Sequence, residues 1–139
     1  MLVLDTNVIS ELMKVSSSPR VLEWWSQQQQ GELFTTTLTM AEILYGIEIL
    51  PKGKRRDGLL AEAEAVFTQD LAGRILPFDE EAARSFPEIA ARRRAEGRPI
   101  AELDAQIAAV AHSRRAILAT RNTPDFEGCG IRLVNPWAG

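Results

Sequence analysis

Apolar and polar positions along this chain change period several times, and those changes mark out its elements. Leu2, Val3 and Leu4 form a short apolar run that stops at Asp5. Thr6 and Asn7 are residue types that open helices, and Val8, Ile9 and Leu12 then recur at helical spacing. The pattern predicts a buried strand delivering Asp5 to its carboxyl end, with an N-cap role for the same residue as the alternative. Ser18 and Pro19 open a second helix, expected to run to about Gln30 before Gly31. Val21, Trp24, Trp25 and Gln28 share one face of it, which assigns both tryptophans to packing in the core or in a dimer.

A threonine-rich run over 32–37 predicts the second strand. Ile43, Leu44, Ile47 and Leu50 then predict a helix over 39–50, stopped by Pro51. Beyond a loop at Lys52, the apolar positions Leu59, Leu60, Ala63, Val66, Phe67 and Leu71 define a long helix closed by Gly73. Ile75 to Phe78 reads as the third strand. Asp79 caps a helix whose Ala82, Ala83, Phe86, Ile89 and Ala90 face inward and whose arginines face outward, with Pro87 marking a kink or a late start. An alanine-rich helix over 101–114, a strand over 117–120, a polar loop over 121–125 and a last strand over 131–134 complete the chain. This alternation implies one α/β domain over 1–139, a three-layer sandwich around a mostly parallel sheet of four to five strands.

Composition narrows the chemistry. Of the 139 residues 45% are hydrophobic and 25% charged, the balance of a compact soluble domain, and no apolar run is long enough for a membrane span. No secretory leader is legible, so a cytoplasmic protein is expected. With Cys129 the only cysteine and His112 the only histidine, a Cys/His zinc site is disfavoured and any metal should be a hard ion held by oxygen. The net charge of −3 argues against coating nucleic acid by bulk electrostatics, yet Lys52, Lys54, Arg55 and Arg56 form one basic cluster and Arg92, Arg93, Arg94 and Arg98 another. Each is either a phosphate contact or an ordinary solvated helix face.

Three acids occupy comparable places. Asp5 ends a strand, Glu42 lies in the first turn after the second strand, and Asp104 lies in the first turn of the helix before the fourth. A parallel sheet brings such positions to one edge. Local alternatives exist for each: Thr39 and Glu42 match a capping box, and Asp104 suits a helix N-terminus by charge. Crowded carboxylates repel unless a cation joins them, so a shared site implies a divalent ion, for which Mg²⁺ is suited.

In order, the segments L-D-T-N, T-x-A-E-I, D-A-Q-I-A-A and T-R-N-T-P-D-F resemble the PIN-domain ribonuclease toxins of the VapC type. The stretches V-I-S-E-L, Y-G-I, L-P-K-G-K-R-R and A-T-R-N-T-x-D-F-E-G followed by N-P-W resemble more narrowly the FitB-like branch. The resemblance covers essentially the whole chain. It implies a Mg²⁺- or Mn²⁺-dependent endoribonuclease of a type II toxin–antitoxin system, a homodimer restrained by a small antitoxin with a DNA-binding region. Asp5, Glu42 and Asp104 fall on the family's core acids, as catalytic residues and metal ligands. Where many relatives carry a fourth aspartate this chain has Asn122, which offers a carbonyl but no charge. Thr6, Thr120, Asn122 and Asp125 are expected to support the site, and Lys52, Lys54, Arg55, Arg56, Arg92, Arg93 and Arg98 to contact RNA backbone. The competing expectation is a dimeric regulatory module that binds nucleic acid with its antitoxin and has little or no nuclease activity. A phosphatase with Asp5 as nucleophile is disfavoured because Asn7 stands where such enzymes place a second aspartate.

Overall fold

The computed structural model describes residues 1–138. Five strands, Leu2–Leu4 (β1), Leu33–Thr36 (β2), Ile75–Leu76 (β3), Ile117–Ala119 (β4) and Arg132–Val134 (β5), form one sheet in the order β3-β2-β1-β4-β5. Every pairing is parallel, with Val3 opposite both Phe34 and Leu118. The helices are Thr6–Leu12 (α1), Pro19–Ser26 (α2), Thr37–Glu48 (α3), Lys54–Ala65 (α4), Glu80–Ala95 (α5), Glu102–Ser113 (α6) and Thr123–Phe126 (α7). From β1 the chain steps outward through β2 to β3, then returns to the other side of β1 for β4 and β5. Strand order therefore reverses between β1 and β4, the place where open sheets bind ligands at their carboxyl ends.

Period-two alternation sorts each strand between two cores. Val3, Leu76 and Leu118 pack with Ile89, Ile107, Val110 and Phe126 under α5, α6 and α7. Their neighbours Leu4, Ile75 and Ala119 pack on the opposite face with Val8, Ile9, Ile43, Ile47 and Phe67. Both faces are covered, which is why the strands read as continuous apolar runs. Trp24 and Trp25 lie half-buried against the second core, in keeping with a packing role.

Several boundaries differ from the sequence pattern. Helix α2 ends at Ser26, and Gly31 sits in a separate 3₁₀ turn, Gln30–Glu32. Helix α3 begins two residues early because Thr36, not Thr39, caps it: the Thr39 amide donates to Thr36 Oγ1 at 3.0 Å. The expected capping box with Glu42 is thus absent, and Glu42 is released for other work. The long helix after Lys52 is α4 followed by a wider π-helical turn, Val66–Asp70, ending at Gly73 with its φ of 74°. Pro87 neither breaks nor delays α5, because the packing of that helix along α6 offsets the one hydrogen bond the proline removes. Residues 123–125 of the expected polar loop form α7 together with Phe126, with Pro124 in its first turn.

Leu118 is fully buried at the centre of the sheet. Leu118→Ala is expected to lower unfolding free energy by about 3 kcal/mol without changing the far-UV circular dichroism, as measured by urea denaturation.

Candidate active site at the sheet edge

Residues at the carboxyl ends of β1 and β4 are locked together by side chains. Asp5 is buried, and its carboxylate accepts from the Thr6 amide at 2.8 Å and from Thr120 Oγ1 at 2.8 Å. It does cap α1, so its local role and its place at the sheet edge coexist. Asn7 Nδ2 reaches Thr120 Oγ1 at 3.3 Å and Asp5 Oδ2 at 3.4 Å, while its Oδ1 accepts from the Arg121 amide at 3.2 Å. The Asn122 amide donates to Thr120 Oγ1 at 3.1 Å. Burial raises the Asp5 pKa above its ordinary value, and the hydrogen bonds from Thr120 and Thr6 oppose that rise.

Glu42 comes to the same place from α3. Thr6 Oγ1 donates to Glu42 Oε1 at 2.6 Å and lies 3.0 Å from Thr39 Oγ1, so with Thr6 donating to the glutamate the Thr39 hydroxyl donates to Thr6. This threonine relay fixes one oxygen of an otherwise exposed carboxylate. Asp104, half-buried on the first turn of α6, is different: no protein donor reaches it among the described residues. Its pKa is pushed up to about 6, first by burial and then by the charges of Asp5, Asp125 and Glu42, against the weaker pull of Arg93. Asp5, Glu42, Asp104, Thr6, Asn7 and Asn122 line one cleft of about 360 Å³. Among the described residues no three of these acids converge into a closed coordination group.

Asp125 stands apart from that cleft. It lines a second cavity of about 160 Å³ with Asp104 and Arg93, so Asp104 forms the wall between the two. A third, mainly apolar groove shares Thr6, Lys14 and Glu42 with the acid cleft and is walled by Met13, Ile43, Ile47, Leu50 and Leu59.

The expected backbone contacts divide. Arg55 lines the apolar groove, and Lys52, Lys54 and Arg92 are exposed. Arg56 is tied to Glu48 at 2.8 Å, and Arg98 donates to the Pro124 carbonyl at 3.1 Å and faces Glu127 at 3.5 Å. Arg93 corrects the sequence expectation outright: it is only 5% exposed, so it cannot meet RNA backbone. Its position was legible, because 82, 86, 89 and 93 continue one helical stripe whose first three members are apolar. Sequence reasoning also missed Asn7 as a site residue, Thr39 in the relay, and the cations Lys14 and Arg121 at the rim of the cleft. Arg121 lies over the Trp137 ring, 5.2 Å from its centroid, a contact between the segments that follow β4 and β5 that no local pattern announces.

A family model of the PIN domain matches residues 2–127. The chain belongs to the PIN-domain family. It is 41% identical to the protein named VapC ribonuclease Y4jK of Sinorhizobium fredii, over 99% of this chain and 98% of that one. It is 35% identical to the protein named Toxin FitB of Neisseria gonorrhoeae, with 99% of each covered. Its fold matches a structure of FitAB bound to a DNA fragment with a TM-score of 0.92 at 35% identity, over 99% of this chain and 96% of the other. DNA-bound VapBC from Salmonella typhimurium matches at a TM-score of 0.83 and 27% identity, with 97% of each chain covered. This PIN domain is therefore of the VapC type and similar to the FitB branch, as the motifs around Asp5, Glu42 and Asp104 indicate.

The Asp104 environment makes a pH prediction for metal-free protein. Its folded pKa of about 6 exceeds the ordinary 3.8, so the folded state holds that proton more tightly. Stability then falls as pH rises between those values and stays lower above them. Asp104→Asn, which has no charge to suppress, is expected to be more stable than wild type above pH 6 by on the order of 1 kcal/mol, with the difference gone below about pH 4. Melting curves in EDTA from pH 4 to 8 check this; a difference that does not vary with pH contradicts it.

Proposed function

We propose that this PIN-domain protein is the endoribonuclease toxin of a toxin–antitoxin pair, hydrolysing RNA phosphodiester bonds with Mg²⁺ or, in its place, Mn²⁺. The observation that carries the proposal is Asp104, a carboxylate without a protein donor set against Asp5 and Glu42 around one cleft. The donor set is oxygen only, which fits a hard cation, and an open arrangement suits Mg²⁺ because that ion keeps several waters. Asp5, Asp104 and Glu42 would hold it, with the Asn122 carbonyl as the neutral member. When bound, the ion supplies the positive charge that stabilises the phosphodiester as negative charge builds and makes water a better nucleophile.

The chain's own residues do the rest. Asp5 is immobilised by the Thr6 amide and Thr120, so its charge has a fixed position at the end of β1. Glu42, held on one oxygen by Thr6, keeps the other to accept from and orient the attacking water. Lys14 and Arg121 at the rim hold the phosphate entering the cleft, and Arg55, Lys52, Lys54 and Arg92 hold the flanking backbone, making binding salt-sensitive. Single-stranded or looped RNA offers the accessible backbone this needs.

The proposed partners are a second copy of this chain and a cognate antitoxin with a DNA-binding region. Tyr45 on α3 and Ile49 at its C-cap, both exposed, give the homodimer an apolar surface to cover. An antitoxin that inserts an arginine into the cleft would inhibit, since a guanidinium fork matches two carboxylates and displaces the cation.

Purified protein free of its partner is expected to cleave single-stranded RNA with Mg²⁺ and not in EDTA. Asp5→Asn is expected to lower the rate by about a hundredfold or more, since it removes the charge about which the site is built. Equal cleavage by wild type and Asp5→Asn sinks the assignment.

A further inference from the structure

We infer that Arg93 is a positioning residue of the acid site, an internal cation that ties the segment carrying Asp125 to the lead-in of the helix carrying Asp104. The inference rests on the proposed nuclease site only for its catalytic consequence.

A buried guanidinium ordinarily sits against a carboxylate. Among the described residues Arg93 has no such ion pair. Its Nε instead donates to the Arg98 carbonyl at 2.8 Å, and its Nη1 donates to the carbonyls of Asp125 at 2.6 Å and Glu127 at 3.1 Å, with Cys129 Sγ at 3.7 Å. Carbonyl dipoles satisfy the donors without cancelling the charge. A unit of positive charge therefore persists inside the protein, and the carboxylates of Asp104 and Asp125 line the same 160 Å³ cavity as its bearer. The charge of Arg93 opposes the upward push that burial and the neighbouring carboxylates exert on Asp104.

The three carbonyls belong to two separate segments. Arg98 lies between α5 and α6, just ahead of Asp104, whereas Asp125 and Glu127 belong to α7 and its exit. Helix α7 has four residues and no side-chain cap, too little to hold its own shape. Arg93 from inside and buried Phe126 supply what it lacks. Gly128 shows how closely the loop descends: at a φ of 81°, an added Cβ would lie 3.0 Å from Glu96 Oε1 and 3.5 Å from Arg93 Cδ. The loop so held carries Asn122, which lines the acid cleft, at one end and Asp125, which shares a cavity with Asp104, in its middle.

Three variants of the full chain separate positioning from bulk stability. Arg93→Lys keeps the charge without the fork, Arg93→Met keeps most of the volume without the charge, and Gly128→Ala strains the loop backbone at its φ of 81° while leaving the guanidinium in place. Each is read by hydrogen exchange over residues 121–130, by Mn²⁺ affinity from calorimetry, and by cleavage of a fluorogenic single-stranded RNA. In Arg93→Lys we expect faster exchange confined to 121–130, Mn²⁺ affinity weaker by about tenfold, and kcat lower by about tenfold with KM within threefold. Gly128→Ala should move all three readouts in the same direction by less. Should both Arg93 variants fail to fold, Gly128→Ala alone decides: normal exchange and normal Mn²⁺ affinity overturn the inference. It is equally overturned if Arg93→Lys loses activity only in proportion to its folded fraction. If wild type cleaves no RNA while the exchange and Mn²⁺ effects persist, the nuclease proposal fails and the positioning role stands.

Discussion

Asp5 is buried at the end of β1 with Thr120 and the Thr6 amide as its donors, and Asp104, with no donor of its own, lines the same cleft. Burial of these carboxylates, with the repulsion between them added to it, is what the site's chemistry turns on. The fold allows neither to leave: Asp5 follows two fully buried strand residues, and Asp104 leads the helix that fills the first core with Ile107, Ala108 and Val110. The remaining polar residues at this edge manage that charge. Thr6, Thr120 and Asn7 donate hydrogen bonds to Asp5 and Glu42, Thr39 donates to Thr6 behind them, Arg93 supplies an internal cation, and a divalent ion is the proposed remainder.

The same constraint orders the periphery. Strand order reverses between β1 and β4, so the loops after these two strands diverge and leave a cleft rather than a packed edge. Asn7 spans the divergence by bonding both Thr120 and the Arg121 amide. It adds a second tie to the one Thr120 makes, whose hydroxyl donates to Asp5 and accepts from the Asn122 amide. Two cations line the cleft: Lys14, paired with Glu11 at 3.0 Å, and Arg121, which lies over Trp137.

Much of this was legible in the sequence for a physical reason. Both faces of the sheet are buried, so strands read as short apolar runs, and the change to polar residues at Asp5 and Thr36 marks the strand ends, where each side chain caps the helix that follows. The cap of α3 was misread because four threonines within five positions offer equivalent hydroxyls, and only backbone geometry selects Thr36. Arg93 was hidden in a run of three arginines, although its spacing from Ile89 placed it on the buried stripe. Arg121 on Trp137 and the α7 clamp depend on segments brought together by the sheet, and periodicity carries no signal for them. Asn7 was obscured by its own adequacy as a helix opener, an explanation that made a second role look unnecessary.

Binding of the cation itself tests the central claim most directly. Calorimetric titration of Mg²⁺ or Mn²⁺ into metal-free protein near pH 6, repeated in buffers of different ionisation enthalpy, reads both affinity and protons released. Because Asp104 is held half-protonated there, the account predicts saturable binding that expels a fraction of a proton, and loss of that expulsion in Asp104→Asn. Binding that releases no proton in wild type, or the absence of binding altogether, would contradict it.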